Sequence, residues 1–224
     1  MIIQLNPEIK MKKKMTRPIY KSRKMRKGLR LKINIKNNRN LITIINCYAP
    51  HSGITKKDET ETEKLYEELE RTTKKFRNKS SLLYIVGDMN ATVGKKNDQQ
   101  CIGKNSKGES NENGRHLLID YWENNNLIMT NTCFSHKQAH LTTWQQTRID
   151  EKTGKVTHVR KVLDYIMIER QYKPALTNSR THKATLTISD HKLLITTLQT
   201  NWHILHRHKN RATNNKTEKM TLRN

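Results

Sequence analysis

The segment Leu41 to Cys47, LITIINC, is apolar at both odd and even positions, so an element with only one buried face cannot hold it. A strand covered on both faces can. Just before it, Leu31, Ile33 and Ile35 alternate with Lys32, Asn34 and Lys36, the period-2 pattern of a half-exposed strand. The polar run Lys36 to Asn40 supplies turn residues between the two, and the pair reads as a β-hairpin.

Between Asp58 and Phe76 the period changes. Leu65, Leu69, Thr72 and Phe76 recur at helical spacing, with acids early and Lys74, Lys75 and Arg77 late, as the helix dipole prefers. Leu82 to Val86 reads as a second buried strand, ending at Gly87-Asp88. A polar loop from Lys95 to Asn111 leads to a helix over about Asn113 to Glu123, with Leu117, Leu118, Tyr121 and Trp122 as its apolar stripe. Further strands are expected at Leu127–Thr130, Leu141–Trp144, Val162–Ile168, Ala184–Ile188 and Leu193–Leu198. Helices interspersed with strand clusters make an α/β domain over residues 31–200.

The ends differ from this body. Residues 1–40 hold 14 Lys and Arg against the single acid Glu8, and residues 201–224 hold six against Glu218, so most of the net charge of +24 lies in the arms. Residues 1–30 read as a basic, partly disordered lead-in and 201–224 as a basic tail. Such arms suit a phosphate backbone, because each neutralised phosphate releases counterions; a composition rich in Lys, Asn and Ile throughout gives a plainer account. His203, His206 and His208 suit no single helix face and belong to that tail. The three cysteines, Cys47, Cys101 and Cys133, include no C-x-x-C pair, which argues against a disulfide-linked partner and a zinc ribbon. No apolar run approaches the roughly 20 residues of a membrane span, so an intracellular chain without membrane contact is expected.

Polar groups able to do chemistry stand where apolar strands meet loops. They are Gly87-Asp88-Met89-Asn90-Ala91, Leu163-Asp164-Tyr165-Ile166, Ser189-Asp190-His191, and Asn46-Cys47-Tyr48-Ala49-Pro50. Taken singly, each is explained by an ordinary turn or cap. Their order is more informative: Tyr-Ala-Pro, Gly-Asp-x-Asn-Ala, Thr143-Trp144, Leu-Asp-Tyr-Ile and Ser-Asp-His.

That series resembles the endonuclease/exonuclease/phosphatase superfamily. Asn113-Gly114-Arg115, Asn131-Thr132-x-Phe134 and Leu141-Thr142-Thr143-Trp144 are similar to the endonucleases of non-LTR retrotransposons and to craniofacial development protein 2-like proteins. The resemblance implies a DNase I-like, four-layer α/β sandwich of two mixed sheets flanked by helices. It implies Mg-dependent hydrolysis of DNA, with Mn as a substitute, and a reverse transcriptase in the full-length parent; a nuclear location would follow. In the implied site Asp88 handles the attacking water, Asn90 orients it, Tyr48 donates to the phosphate, and His191, held by Asp164, faces the non-bridging oxygens. Asp190 is the metal contact. Arg115, Thr143 and Trp144 would meet DNA, although their contexts alone suggest a solvated helix start for Arg115 and a core aromatic for Trp144.

Departures from the family pattern accompany these matches. The family's early Asn and metal-ligating Glu cannot be placed, since Glu8 is the lone acid before residue 41 and lies in no strand-like context. The N-terminal part of the domain is therefore expected to be missing and cleavage impaired. A catalytically inactive, nucleic-acid-binding fragment is the alternative. Met89 stands where an aromatic is commoner, and Val162 where a polar residue is common.

Overall fold

The computed structural model describes residues 2–6, 29–37, 40–51, 56–77, 82–95, 98–111, 113–115, 119–183 and 189–199, with 2–6, 29–37, 40–41 and 56–59 described through their backbone alone. The expected hairpin forms from β2 (Leu29–Asn37) and β3 (Asn40–Tyr48), antiparallel, with Asn37 opposite Asn40. Next come α1 (Lys56–Arg77), β4 (Leu82–Asp88), α2 (Ile119–Asn124) and β5 (Leu127–Met129). The chain continues through β6 (Trp144–Ile149), β7 (Val156–Lys161), β8 (Asp164–Glu169), β9 (Leu176–His182) and β10 (Leu193–Gln199). Within the basic lead-in, β1 (Ile2–Asn6) pairs parallel to β10.

Both large sheets are mixed. One has the order β2-β3-β4-β8-β5 and the other β1-β10-β9, with β6-β7 a separate ribbon. The period of two decides how they stack. Ile45, Leu83, Ile85, Tyr165 and Met167 point to one face, where Tyr66 and Leu69 of α1 and Tyr121 and Trp122 of α2 meet them. Ile42, Leu82, Tyr84, Val86, Ile166 and Ile168 point to the other, against Leu194 and Leu198 of β10. Burying each such side chain contributes about 1.5–3 kcal/mol, so a strand filled on both faces belongs at the centre. Among the described residues the α-helices cover only the outer face of the five-stranded sheet. The sheets are also joined by a buried hydroxyl cluster, in which Thr130 Oγ1 donates to the Ile166 carbonyl (2.9 Å) and lies 2.8 Å from Thr196 Oγ1 and 3.1 Å from Ser179 Oγ.

Several elements depart from the sequence expectations. In α1 Thr73, bonded to the Tyr121 hydroxyl at 2.6 Å, is buried, whereas Thr72 is half-buried. The strand expected at Leu141–Trp144 starts only at Trp144, because Gln138–His140 forms a 3-10 turn and Thr142 amide returns to the Gln138 carbonyl. β8 starts at Asp164 rather than Val162. β7 and β9 were not expected: VTHVRK is almost wholly exposed, and LTNSRTH buries Ser179 and Thr181 where apolar residues would announce a strand. Of the second helix, Asn113–Arg115 and α2 are described; Leu117 and Leu118 lie outside the described residues, as do the strand expected at Ala184–Ile188, Glu8 and the tail from 201 onward. Among the described residues no helix is long and apolar enough to cross a membrane.

Candidate active site

A Cβ on Gly87 would stand 1.9 Å from the Cys47 carbonyl oxygen, so only glycine allows β4 to run this close beside β3. The parallel register then sets Tyr48 opposite Asp88, and the antiparallel register of β4 with β8 sets Asp164 opposite Asp88 on its other side. The ladder continues past the strand ends. Ala49 amide donates to the Asp88 carbonyl and Met89 amide to the Leu163 carbonyl, each at 2.8 Å. Asn90 takes a left-handed backbone (φ 45), a conformation open to asparagine. Its amide N–H donates to Asp88 Oδ1 at 2.9 Å, and its buried Nδ2 donates to the Ala49 carbonyl at 2.7 Å, tying the two loops together.

His191 reaches this row from the segment before β10. Its Nδ1 lies 2.9 Å from Asp164 Oδ2 and its Nε2 3.8 Å from Asp88 Oδ2, so the ring spans both carboxylates. Thr143 builds the frame around it. The Thr143 hydroxyl accepts from the amides of Leu163 (2.9 Å) and Asp164 (3.0 Å), its own amide donates to Lys161, and its carbonyl accepts from Lys192 (2.7 Å). One buried residue thus fixes the start of β8 and the loop carrying His191. Trp144 Nε1 donates to Asp190 Oδ2 at 2.7 Å, and Asn131 Nδ2 to the Asp164 carbonyl at 3.3 Å.

Burial raises the Asp88 carboxyl above its ordinary range and the facing Asp164 adds to this; the Asn90 amide, His191 and His51 work the other way. Burial disfavours the charged His191 ring, yet the hydrogen bond and charge of Asp164, with Asp88 and Asp190, outweigh it and the imidazole titrates higher than usual. Ligand atoms of Asp88, Asp164 and His191 lie within 4.8 Å of one another. Two carboxylates at the rim of a half-buried site fit a hard divalent cation, which takes oxygen ligands and keeps several waters.

No family model matches the chain. Over 172 residues, 72% of its length, it is 31% identical to craniofacial development protein 2 of Bos taurus and 30% identical to that of Tragulus javanicus. It spans about a quarter of the length of these curated relatives, 27% and 28%. Among solved structures, the endonuclease domain of TRAS1, a telomere-specific non-LTR retrotransposon, superposes with a TM-score of 0.52 at 15% identity, over 78% of this chain and 64% of that one. The 3'-5' exonuclease NExo of Neisseria meningitidis superposes with a TM-score of 0.55 at 17% identity, over 76% of this chain and 66% of that one. The chain has an endonuclease/exonuclease/phosphatase-type fold.

Within this fold Tyr48, Asp88, Asn90, Asp164 and His191 converge at one end of the central sheet. Asp190 adjoins them in sequence, but its carboxylate is engaged by Trp144 and lies outside the Asp88–Asp164–His191 group. Thr143 corrects an expectation: with 0% exposure it cannot touch DNA, and its hydroxyl is spent on backbone amides. Trp144 corrects another. It is half-buried, not a core aromatic, since β6 leaves the body of the molecule there and the indole N–H finds its partner in Asp190. Arg115 is exposed on a turn whose Gly114 packs on the Thr92 carbonyl, four residues after Asp88. His51, whose charge reaches Asp88, was not singled out; its place just after Tyr48-Ala49-Pro50 was the available signal. Cys47, Cys101 and Cys133 are free thiols.

Proposed function

We propose that the chain is a metal-dependent phosphodiesterase acting on DNA, of the retrotransposon endonuclease kind. The observation that carries this reading is the imidazole of His191 spanning the Asp88 and Asp164 carboxylates at the open end of the strands. Hydrolysis needs a base for water, a cation facing the phosphate oxygens and a donor to the substrate. Asp88, partly desolvated, holds a proton more readily than a free carboxylate and takes it from the attacking water. His191, whose charged form Asp164 favours, faces the non-bridging oxygens. Tyr48, exposed at the end of β3, donates to the phosphate, and Asn90 fixes the loop that aims Asp88. Asp88 and Asp164, whose oxygens lie in one group with His191, would hold Mg²⁺ or Mn²⁺, with Asp190 reaching the ion only if it gave up Trp144; a bound ion would supply charge neutralisation and stabilise the leaving oxygen. A retrotransposon origin would add a reverse transcriptase domain in the parent protein and a nuclear place of work.

One observation favours a second reading, a DNA-binding chain with little or no catalysis. Asp164 is spent on His191 and Asp190 on Trp144, leaving a hard cation few uncommitted oxygens. Nicking of supercoiled plasmid in Mg²⁺ or Mn²⁺ separates the two. Relaxation that is lost in EDTA, in Asp88→Asn and in His191→Ala supports the enzyme; duplex binding without relaxation supports the second reading; relaxation unaffected by both substitutions defeats the assignment of the site.

A further inference from the structure

One step from His191, at the start of β10, lies a corner of the molecule in which cations gather. β10 begins with Leu193 opposite His182, the last residue of β9, so Lys192 and Lys183 flank the same edge. The Gln138–His140 turn closes over it: His140 Nδ1 donates to the Thr181 carbonyl at 3.1 Å, and the His140 and His182 rings are 6.4 Å apart. Arg180 Nε donates to His182 Nε2 at 3.1 Å. Arg160 precedes Lys161, whose carbonyl receives the Thr143 amide, while the Thr143 carbonyl receives the Lys192 amide, so the two cationic segments are laced through one residue.

A solvated basic face is the ordinary explanation for clustered Lys and Arg, but two features tell against it here. Lys192 is half-buried and held in place, its Nζ donating to the Ala139 carbonyl (3.1 Å) and Thr142 Oγ1 (2.9 Å). Arg160 and Lys183 lie close enough for their charges to reach it. Among the described residues, none of these cations is ion-paired to an acid. Donors remain: an ammonium has three N–H groups and Lys192 uses two, and a guanidinium has five and Arg180 uses one. Ordered, crowded cations with spare donors suit an anion that bridges them.

We propose that His140, Arg160, Arg180, Lys183 and Lys192 form a subsite for the phosphate backbone of duplex DNA, holding the strand on the His191 side of the active site. The proposal rests on the DNA reading given above and adds that the folded body, not only the basic arms, grips the backbone. Binding there is sequence-independent, because phosphates carry no base identity.

The test is the affinity of the full chain for a duplex across a salt series in EDTA, where no cleavage intervenes. Each phosphate contact adds about 0.9 to the slope of log affinity against log salt, so the triple variant Arg180→Gln, Lys183→Gln, Lys192→Gln should flatten the slope by about 2–3. The loss should be equal on unrelated sequences. Should the triple variant fail to fold, Arg160→Gln and Lys183→Gln, both at exposed positions, should each flatten the slope by up to about 0.9. An unchanged slope in folded variants overturns the subsite, as does a wild type that does not bind duplex. Metal-dependent nicking by the wild type alongside an unchanged slope would leave the hydrolase reading standing and remove this one alone.

Discussion

The Thr143 hydroxyl is a single atom on which the candidate site turns, and Thr143→Val removes it with little change of volume. It accepts the amides of Leu163 at 2.9 Å and Asp164 at 3.0 Å from a side chain with 0% exposure. Valine leaves both amides without an acceptor. An unsatisfied buried donor costs about 1–3 kcal/mol, and since water reaches part of this site, two should cost about 2–4 kcal/mol together. Urea denaturation monitored by circular dichroism reads this directly, with Thr143→Ser, which keeps the oxygen, expected to lose far less. The same amides fix the start of β8, so Asp164 and with it the His191 ring should drift in the valine variant. A displacement of about 1 Å costs about 100-fold in rate, and nicking should fall at least that far. A valine variant within about 0.5 kcal/mol of wild type would place it among inconsequential surface substitutions and refute the clamp.

Gly87→Ala should be among the most damaging single changes, at about 4 kcal/mol or more, because its Cβ would lie 1.9 Å from backbone that cannot move without parting β3 from β4; a soluble variant melting like wild type would contradict the register. The His191 ring titrates above its ordinary value, so its stabilising contribution is present below that value and lost as pH rises through the folded one. In EDTA the stability difference between wild type and His191→Gln should therefore shrink from about pH 6 to about pH 9, and a widening gap would reverse the sign of the coupling. Burial, with Asp164, makes the folded chain hold the Asp88 proton more tightly than the unfolded chain does, so ionisation at neutral pH costs stability. Asp88→Asn should raise the melting temperature of the metal-free protein while abolishing nicking, and a lower melting temperature would mean that its contacts with Asn90 and His191 dominate instead.

What the sequence disclosed depended on how a residue's role is written into pattern. β3 and β4 were readable because strands filled on both faces are apolar at every position, and Gly87-Asp88 because the strand stops there. β7 stayed hidden because it buries almost nothing, and β9 because what it buries are the hydroxyls of Ser179, bonded to Thr130 and Thr196, and Thr181, bonded to the Ala139 carbonyl. Within the site the ordered motifs located Asp88, Asp164 and His191, but not what surrounds them. The resemblance implied DNA contact for both Thr143 and Trp144, and context alone suggested core for Trp144; sequence did not show that Thr143, just before β6, is buried with its hydroxyl on backbone amides, or that Trp144, the first residue of β6, is half-buried with its indole on Asp190.

The clearest departure from stable design is the central pair itself. Asp88 and Asp164 face each other across neighbouring strands, where like charges are destabilising. The chain restrains them from four separate segments: His191 from the loop before β10, the Asn90 amide from the loop after β4, Thr143 from just before β6 and Asn131 from the turn after β5. A sheet end that served only stability could hold two threonines there with none of this support. Strain kept at one point and supported from several directions marks the place where a fold does chemistry. It also gives the pair its use, because two adjoining carboxylates that resist ionising together attract whatever relieves them: a proton, the charged form of the His191 ring between them, or a divalent cation.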